Sequence, residues 1–219
     1  MTRHARLAVV ASGRGRNLQA IQHTIEQGGL DATIVGVFSN RRRAPALAFA
    51  ADRGLHHFAL KPKRFHDRAA FDVALAEAVA AVDPDWVILA GYMRILTPKF
   101  IDRFSGRLVN IHPSLLPAYK GLDTHARALA AGETVHGASV HIVTDELDAG
   151  PVIRQGYIHT ADDDTPETLG ERVMSRVEQQ IYPAALAELS SGRVVYRDGG
   201  IIRDGQPQKE APNDCYDAD

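Results

Sequence analysis

The feature that most constrains this chain is an alternation over its first hundred residues, in which short apolar runs closed by glycine or a polar turn give way to stretches of helical periodicity. Leu7 to Ala11 is a continuous apolar run ending in Ser12-Gly13, and Leu18, Ile21 and Ile25 then recur at helical spacing until Gly28-Gly29. Ala32 to Phe38 forms a second run, Pro45 to Arg53 a short helix stopped by Gly54, and Phe71 to Val82 a longer alanine-rich helix. Pro84 introduces Trp86 to Ala90, a buried-strand composition closed by Gly91. Strands separated by helices pair in parallel through right-handed crossovers and bind ligands at their carboxyl ends. The expected fold is α/β: a Rossmann-like doubly wound, mostly parallel sheet.

After Pro98 the pattern changes. A strand is expected at Arg107 to Ile111, then a loop rich in proline and glycine from Pro113 to Gly121, then a short helix near Ala126 to Ala131. Val135 to Val143 and Val152 to Ile158 read as an antiparallel pair, because the link from Asp145 to Pro151 is too short for a crossover. Thr165-Pro166-Glu167 starts a long C-terminal helix with Leu169, Val173, Val177, Ile181 and Ala185 on its buried face. The sequence suggests one domain over 1–205, with halves at about 6–100 and 101–205, followed by a polar tail at 206–219 expected to be disordered. No internal repeat is apparent.

Composition narrows the partners. The 25 basic and 27 acidic side chains leave a net charge of -2, so no overall field attracts nucleic acid or an anionic membrane. Any anion site must be local. The single cysteine, Cys215, cannot form an internal disulfide. The N-terminal Met-Thr-Arg-His-Ala-Arg has no secretory pattern, and no apolar segment approaches the roughly 20 residues of a membrane span. A cytoplasmic protein handling small molecules, as monomer or homodimer, is expected.

Ser12-Gly13-Arg14-Gly15-Arg16-Asn17 lies between strand and helix, where backbone amides and the helix N-terminus can cradle a phosphate and the arginines can add charge. A dinucleotide fingerprint needs a third glycine and an acid at the end of the second strand. Here no glycine follows at that spacing, and the second strand ends in Ser39-Asn40. A monophosphate therefore suits the loop better than NAD. Arg41, Arg42 and Arg43 leave open a contact to the extra phosphate of NADP, against the plainer reading of a solvated loop.

Asn110-Ile111-His112-Pro113 ends a strand, and the period of two points Asn110 and His112 to one face. An amide donor beside an imidazole suits acyl transfer: both can stabilise an oxyanion, and the imidazole can move a proton. Thr144-Asp145-Glu146-Leu147-Asp148 places three carboxylates in one turn. That is equally a solvated acidic turn, or one carboxylate near His112 that would favour the charged imidazole. Spacing does not say which. His112, His125, His136 and His141 show no metal-ligand spacing, so no metal is expected.

These segments together resemble the folate-dependent phosphoribosylglycinamide formyltransferases of purine synthesis, over about residues 6–200. The resemblance rests on Asn110-Ile111-His112-Pro113-Ser114-Leu115-Leu116-Pro117, Ser139-Val140-His141 and Asp145-Glu146-Leu147-Asp148-x-Gly150-Pro151, with Gly91-Tyr92-Met93-Arg94-Ile95-Leu96 in support. It implies transfer of the formyl group of 10-formyltetrahydrofolate, a co-substrate, to the amine of 5'-phosphoribosylglycinamide. By that resemblance Asn110, His112 and Asp148 are catalytic, and Gly15, Arg16, Asn17 and Glu178 hold the ribonucleotide. Arg68, Met93, Arg94, Ile95, Leu96, Asn110, Thr144, Asp145, Glu146, Leu147 and Asp148 surround the folate. The first half would then be nucleotide-binding and the second folate-binding and catalytic. Alternatives are a formyltetrahydrofolate hydrolase, a tRNA formyltransferase, or a formyltransferase with a different phosphorylated amine acceptor; the first two typically carry an extra domain for which this length is expected to have no room. A non-catalytic nucleotide-binding module is a further alternative.

Overall fold

In the computed structural model, residues 4–217 are described. They divide into two compact units that part between Asn110 and Ile111, where the sequence suggested halves meeting near residue 100.

The first unit contains β1 (Ala5–Val10), α1 (Arg16–Glu26), β2 (Ala32–Ser39), α2 (Pro45–Asp52), β3 (His57–Ala59), α3 (Arg68–Ala80), β4 (Trp86–Leu89) and α4 (Pro98–Arg103), and ends within β5 (Leu108–His112). The strands lie in the order β3-β2-β1-β4-β5, and each neighbouring pair is parallel. The run from β1 goes outward through β2 and β3, then returns to the other side of β1 for β4. That reversal puts a topological switch point between β1 and β4. Leu7, Ala8, Val9 and Val10 are all wholly buried, which explains why β1 reads as an unbroken apolar run rather than an alternation. Helix α3 starts earlier than its apolar pattern because Asp67 caps it, accepting a hydrogen bond from Ala70 N. Helix α4 and the short β3 carry too little periodicity to be legible.

The second unit contains α5 (Thr124–Ala130), β6 (Val135–Ile142), β7 (Val152–His159) and a long C-terminal helix in three parts. These parts are α6 (Pro166–Arg172), a π-helical segment (Val173–Glu178) and α7 (Gln179–Ser190). β6 and β7 are antiparallel, as their short link requires. Leu169, Val173, Val177, Ile181 and Ala185 are wholly buried.

The tail expected to be disordered, 206–219, instead contributes the last two of four further strands, and the first two precede it. β8 (Val194–Arg197), β9 (Gly200–Arg203) and β10 (Gln206–Pro207) form a small antiparallel sheet, and β11 (Asn213–Cys215) pairs in parallel with β7. Gln155 N donates to Pro212 O and Tyr216 N to Tyr157 O, while Arg154 bridges Asp214 at 2.6 Å and Glu188 at 2.9 Å. Polar composition suggested disorder, but backbone pairing to a strand edge does not depend on composition. Residues 218–219 of that expected tail lie outside the described residues. Among the described residues no helix is long and apolar enough to cross a membrane.

Candidate active site

In the first unit the glycine loop follows β1 and opens α1. Gly15 has φ +74, and a Cβ there would stand 2.8 Å from the Ala46 Cβ, so both conformation and space demand glycine. Arg16 is the first residue of α1 and Asn17 is buried behind it. No side chain caps this N-terminus and no acid lies in its first turn, which leaves a net positive end suited to an anion.

Ser12, which spacing did not single out, ties three loops together. Its N–H donates to Gly91 O at 3.1 Å, its hydroxyl donates to Asn40 Oδ1 at 2.7 Å, and it accepts from Met93 N at 2.9 Å. The loops after β1 and β4 therefore meet at the switch point, with the end of β2 beside them. In the loop after β4, Met93 and Ile95 are 69% and 59% exposed while Leu96 is buried. Exposed apolar side chains at a strand end suit a flat, partly apolar ligand. Arg94 lies over the Phe71 ring, 5.0 Å from its centroid. Behind the loop, Thr97 N donates to the buried Asp72 at 2.7 Å, and burial together with that carboxylate pushes the Tyr92 hydroxyl well above its ordinary range. Arg68 is exposed at the first position of α3.

Asn110 and His112 are alternate residues of β5, the last of the first unit and an early one of the second. In the second unit, His112 Nδ1 is 3.4 Å from Asp148 Oδ2, and the two side chains are only 7% and 9% exposed. His112 Nε2 is 2.9 Å from Tyr119 O, and since a carbonyl only accepts, this nitrogen carries a hydrogen. Asp148 also accepts from Gly121 N at 3.0 Å. His141 Nδ1 must likewise donate to Ile142 O, 2.9 Å away, which turns Nε2 toward Asp148 Oδ1 at 3.8 Å. Burial lowers the pKa of His141 and keeps it neutral, so His112 and the Gly121 amide are the stronger partners of the carboxylate.

Of the three acids in the turn, folding brings Asp148 to His112. Glu146 instead pairs at the surface with Lys120 at 3.1 Å, Asp145 is exposed, Leu147 is 49% exposed, and Thr144 Oγ1 donates to Glu146 O. Asp148 takes φ +48 and Tyr119 φ +55, both in the left-handed region. A ring of hydrogen bonds shapes the 113–121 loop. Ser139 donates to Ser114 O and accepts from Leu116 N, and Gln155 donates to both Ser139 Oγ and Leu116 O. His125 and His136 lie beside it, ring nitrogens 3.0 Å apart, and burial lowers both, His136 to about 4. Glu178 is buried at the end of the π-helical segment. The Tyr119 carbonyl and Gly121 amide had no sequence signal because they are backbone groups; His141 had one, its place in the Ser139-Val140-His141 motif.

The formyl transferase family model matches residues 5–186. The phosphoribosylglycinamide formyltransferase of Escherichia coli (strain K12) is 41% identical over 213 residues, covering 97% of this chain and 99% of that protein. The structure of the phosphoribosylglycinamide formyltransferase of Coxiella burnetii, 43% identical, superposes with a TM-score of 0.90 over 97% of this chain and 100% of that one. A formyltetrahydrofolate deformylase from Pseudomonas syringae pv. tomato is more distant, 27% identical with a TM-score of 0.81, and the match covers 92% of this chain but 66% of that one.

Proposed function

The chain belongs to the phosphoribosylglycinamide formyltransferase family, one-carbon transferases of purine biosynthesis, and on that premise we propose that Asn110, His112 and Asp148 perform its chemistry. The reaction moves the formyl group of 10-formyltetrahydrofolate to the primary amine of 5'-phosphoribosylglycinamide. The amine nitrogen bonds to the formyl carbon, the bond from that carbon to N10 of the folate breaks, and a proton passes from the amine to N10. Between these steps the formyl oxygen carries negative charge. The Asn110 amide and the His112 Nε2–H are donors suited to that oxyanion. The observation that carries this reading is the Nε2–H held on the Tyr119 carbonyl while Nδ1 turns to Asp148. Exchanging that carbonyl for the formyl oxygen brings the donor to the substrate with its carboxylate support intact.

The same reading gives the nucleotide phosphate to Gly15, Arg16 and Asn17, and the glycinamide nucleotide to Glu178 as well. It gives the folate to Arg68, to Met93 through Leu96, and to Thr144 through Asp148. It takes the enzyme as one formyltransferase domain, cytoplasmic, a monomer or homodimer, needing neither metal nor NAD.

The test is formyl transfer from 10-formyltetrahydrofolate to glycinamide ribonucleotide by wild type and His112→Ala. Turnover by the wild type that falls at least a hundredfold in the variant is expected. Equal turnover in both would remove His112 from the mechanism. The similarity to a deformylase defines the alternative outcome, formate released at full rate without any amine.

A further inference from the structure

The single cysteine belongs to a cluster that formyl transfer does not use. His159, Cys215 and Asp217 are exposed side chains of the second unit, and one ligand atom from each lies within 4.8 Å of the other two.

Backbone pairing brings the three together. His159 closes β7, where its carbonyl accepts from Arg172 Nη2 at 2.8 Å. β11 runs parallel beside β7 with Cys215 opposite Tyr157, and Tyr216 N donates to Tyr157 O at 2.8 Å, which carries the pairing one residue past the strand. The chain then reaches Asp217, whose Oδ1 accepts from His159 N at 2.9 Å. That bond fixes the carboxylate by one oxygen and leaves Oδ2 for the other two side chains. His159 Nδ1 meets Oδ2, and Cys215 Sγ donates to it at 3.3 Å.

We propose that His159, Cys215 and Asp217 form a zinc site that fastens the C-terminal segment to β7. A thiolate, an imidazole and a carboxylate are donors that zinc takes, and three protein ligands leave its fourth tetrahedral position to water. Sulfur and nitrogen donors disfavour calcium and magnesium, which prefer oxygen. At the usual zinc–ligand bond lengths, tetrahedral ligand atoms stand roughly 3.3–3.6 Å apart. Sγ and Oδ2 already hold that separation, and the imidazole has to withdraw from the carboxylate by roughly 1 Å. On binding, zinc bonds to the imidazole nitrogen, the carboxylate oxygen and the thiolate, the S–H proton passes to solvent, and no oxidation state changes. The formyl-transfer reaction does not run through this metal. Its consequence is mechanical: β11 pairs with β7 over three residues only, and a metal beyond the end of that short ladder closes the segment down.

The test uses cobalt(II), which takes tetrahedral zinc sites and reports a thiolate ligand by a sulfur-to-metal charge-transfer band. With one cysteine in the chain, that band can arise only at Cys215. Reduced full-length protein is expected to give the band at one cobalt per chain, zinc to bleach it, and Cys215→Ser to abolish it. His159→Gln and Asp217→Asn should each weaken binding more than about tenfold. All three variants should keep wild-type formyl transfer. With zinc in excess, limited proteolysis of the tail should slow by about the ratio of free zinc to its dissociation constant, and Cys215→Ser should not show this protection. The proposal is overturned by a wild type without the band or by a band of unchanged affinity in His159→Gln and Asp217→Asn. Half a cobalt per chain would also overturn it, since the thiolates of two copies would then share the metal. Zinc that binds without slowing tail cleavage would overturn the fastening role.

Discussion

Asp148 is held in the left-handed region at φ +48, a conformation that asparagine tolerates as readily as aspartate. Asp148→Asn therefore keeps the backbone and an oxygen for the Gly121 amide while removing the charge facing His112. Turnover is expected to fall about 10²- to 10⁴-fold, with KM for either substrate changed less than about threefold, because the charge acts on the transition state. Steady-state kinetics check this, and a KM rise equal to the kcat loss would make Asp148 a binding residue only. What could be read at this scale was the pairing of Asn110 with His112, fixed by the period of two along a strand. Choosing among Asp145, Glu146 and Asp148 requires the path of the 144–150 turn, which depends on a backbone amide at Gly121 that side-chain pattern does not encode.

Leu169, Val173, Val177, Ile181 and Ala185 recur every four residues, and on an α-helix each such step overshoots one turn by about 40°. Sustained over the whole stretch, the row would wind most of the way to the opposite side. The wider i→i+5 turns of Val173–Glu178 absorb part of that drift and keep all five buried. The strict spacing made the helix and its buried face legible but not the π-helical segment within it, and β3 and β8 through β11 were too short to show periodicity. Gly156 on β7 faces the same helix: a Cβ there would meet Tyr216 Cε2 at 2.7 Å, Ile181 Cγ2 at 2.8 Å and Val177 Cγ1 at 2.9 Å. Gly156→Ala is expected to destabilise the protein by about 1–3 kcal/mol. Because Tyr216 must move, limited proteolysis should cut the tail faster in the variant. An unchanged urea midpoint would mean that the helix yields without strain.

Across the molecule, the alternating pattern made the α/β class legible, since burial on both faces is a property of whole strands. The pH response was not legible, because it depends on which histidines end up inside. His136, with His125, Tyr119, Glu133 and His112 around it, has its pKa lowered by burial from 6.5 to about 4. The unfolded chain takes up this proton first, so the stabilisation is complete above about pH 6.5 and is lost as pH falls toward 4. His125 and His141, also lowered by burial, act in the same direction. The His136 contribution is on the order of 2–3 kcal/mol. Urea midpoints at pH 7 and 4.5 should differ accordingly, and His136→Gln should reduce the difference while His125 and His141 retain part of it; an unchanged difference in that variant would assign the effect elsewhere. Asp217, held at about 2 by His159, responds only below pH 4 and leaves this window clean. The final strand matters at this scale for another reason. β11 covers the backbone groups of β7 at residues 155–157 with a short segment bearing Asp214. Trimming it would expose a bare row of amides and carbonyls, a template on which a second copy could add itself, so this short strand serves as a guard against self-association.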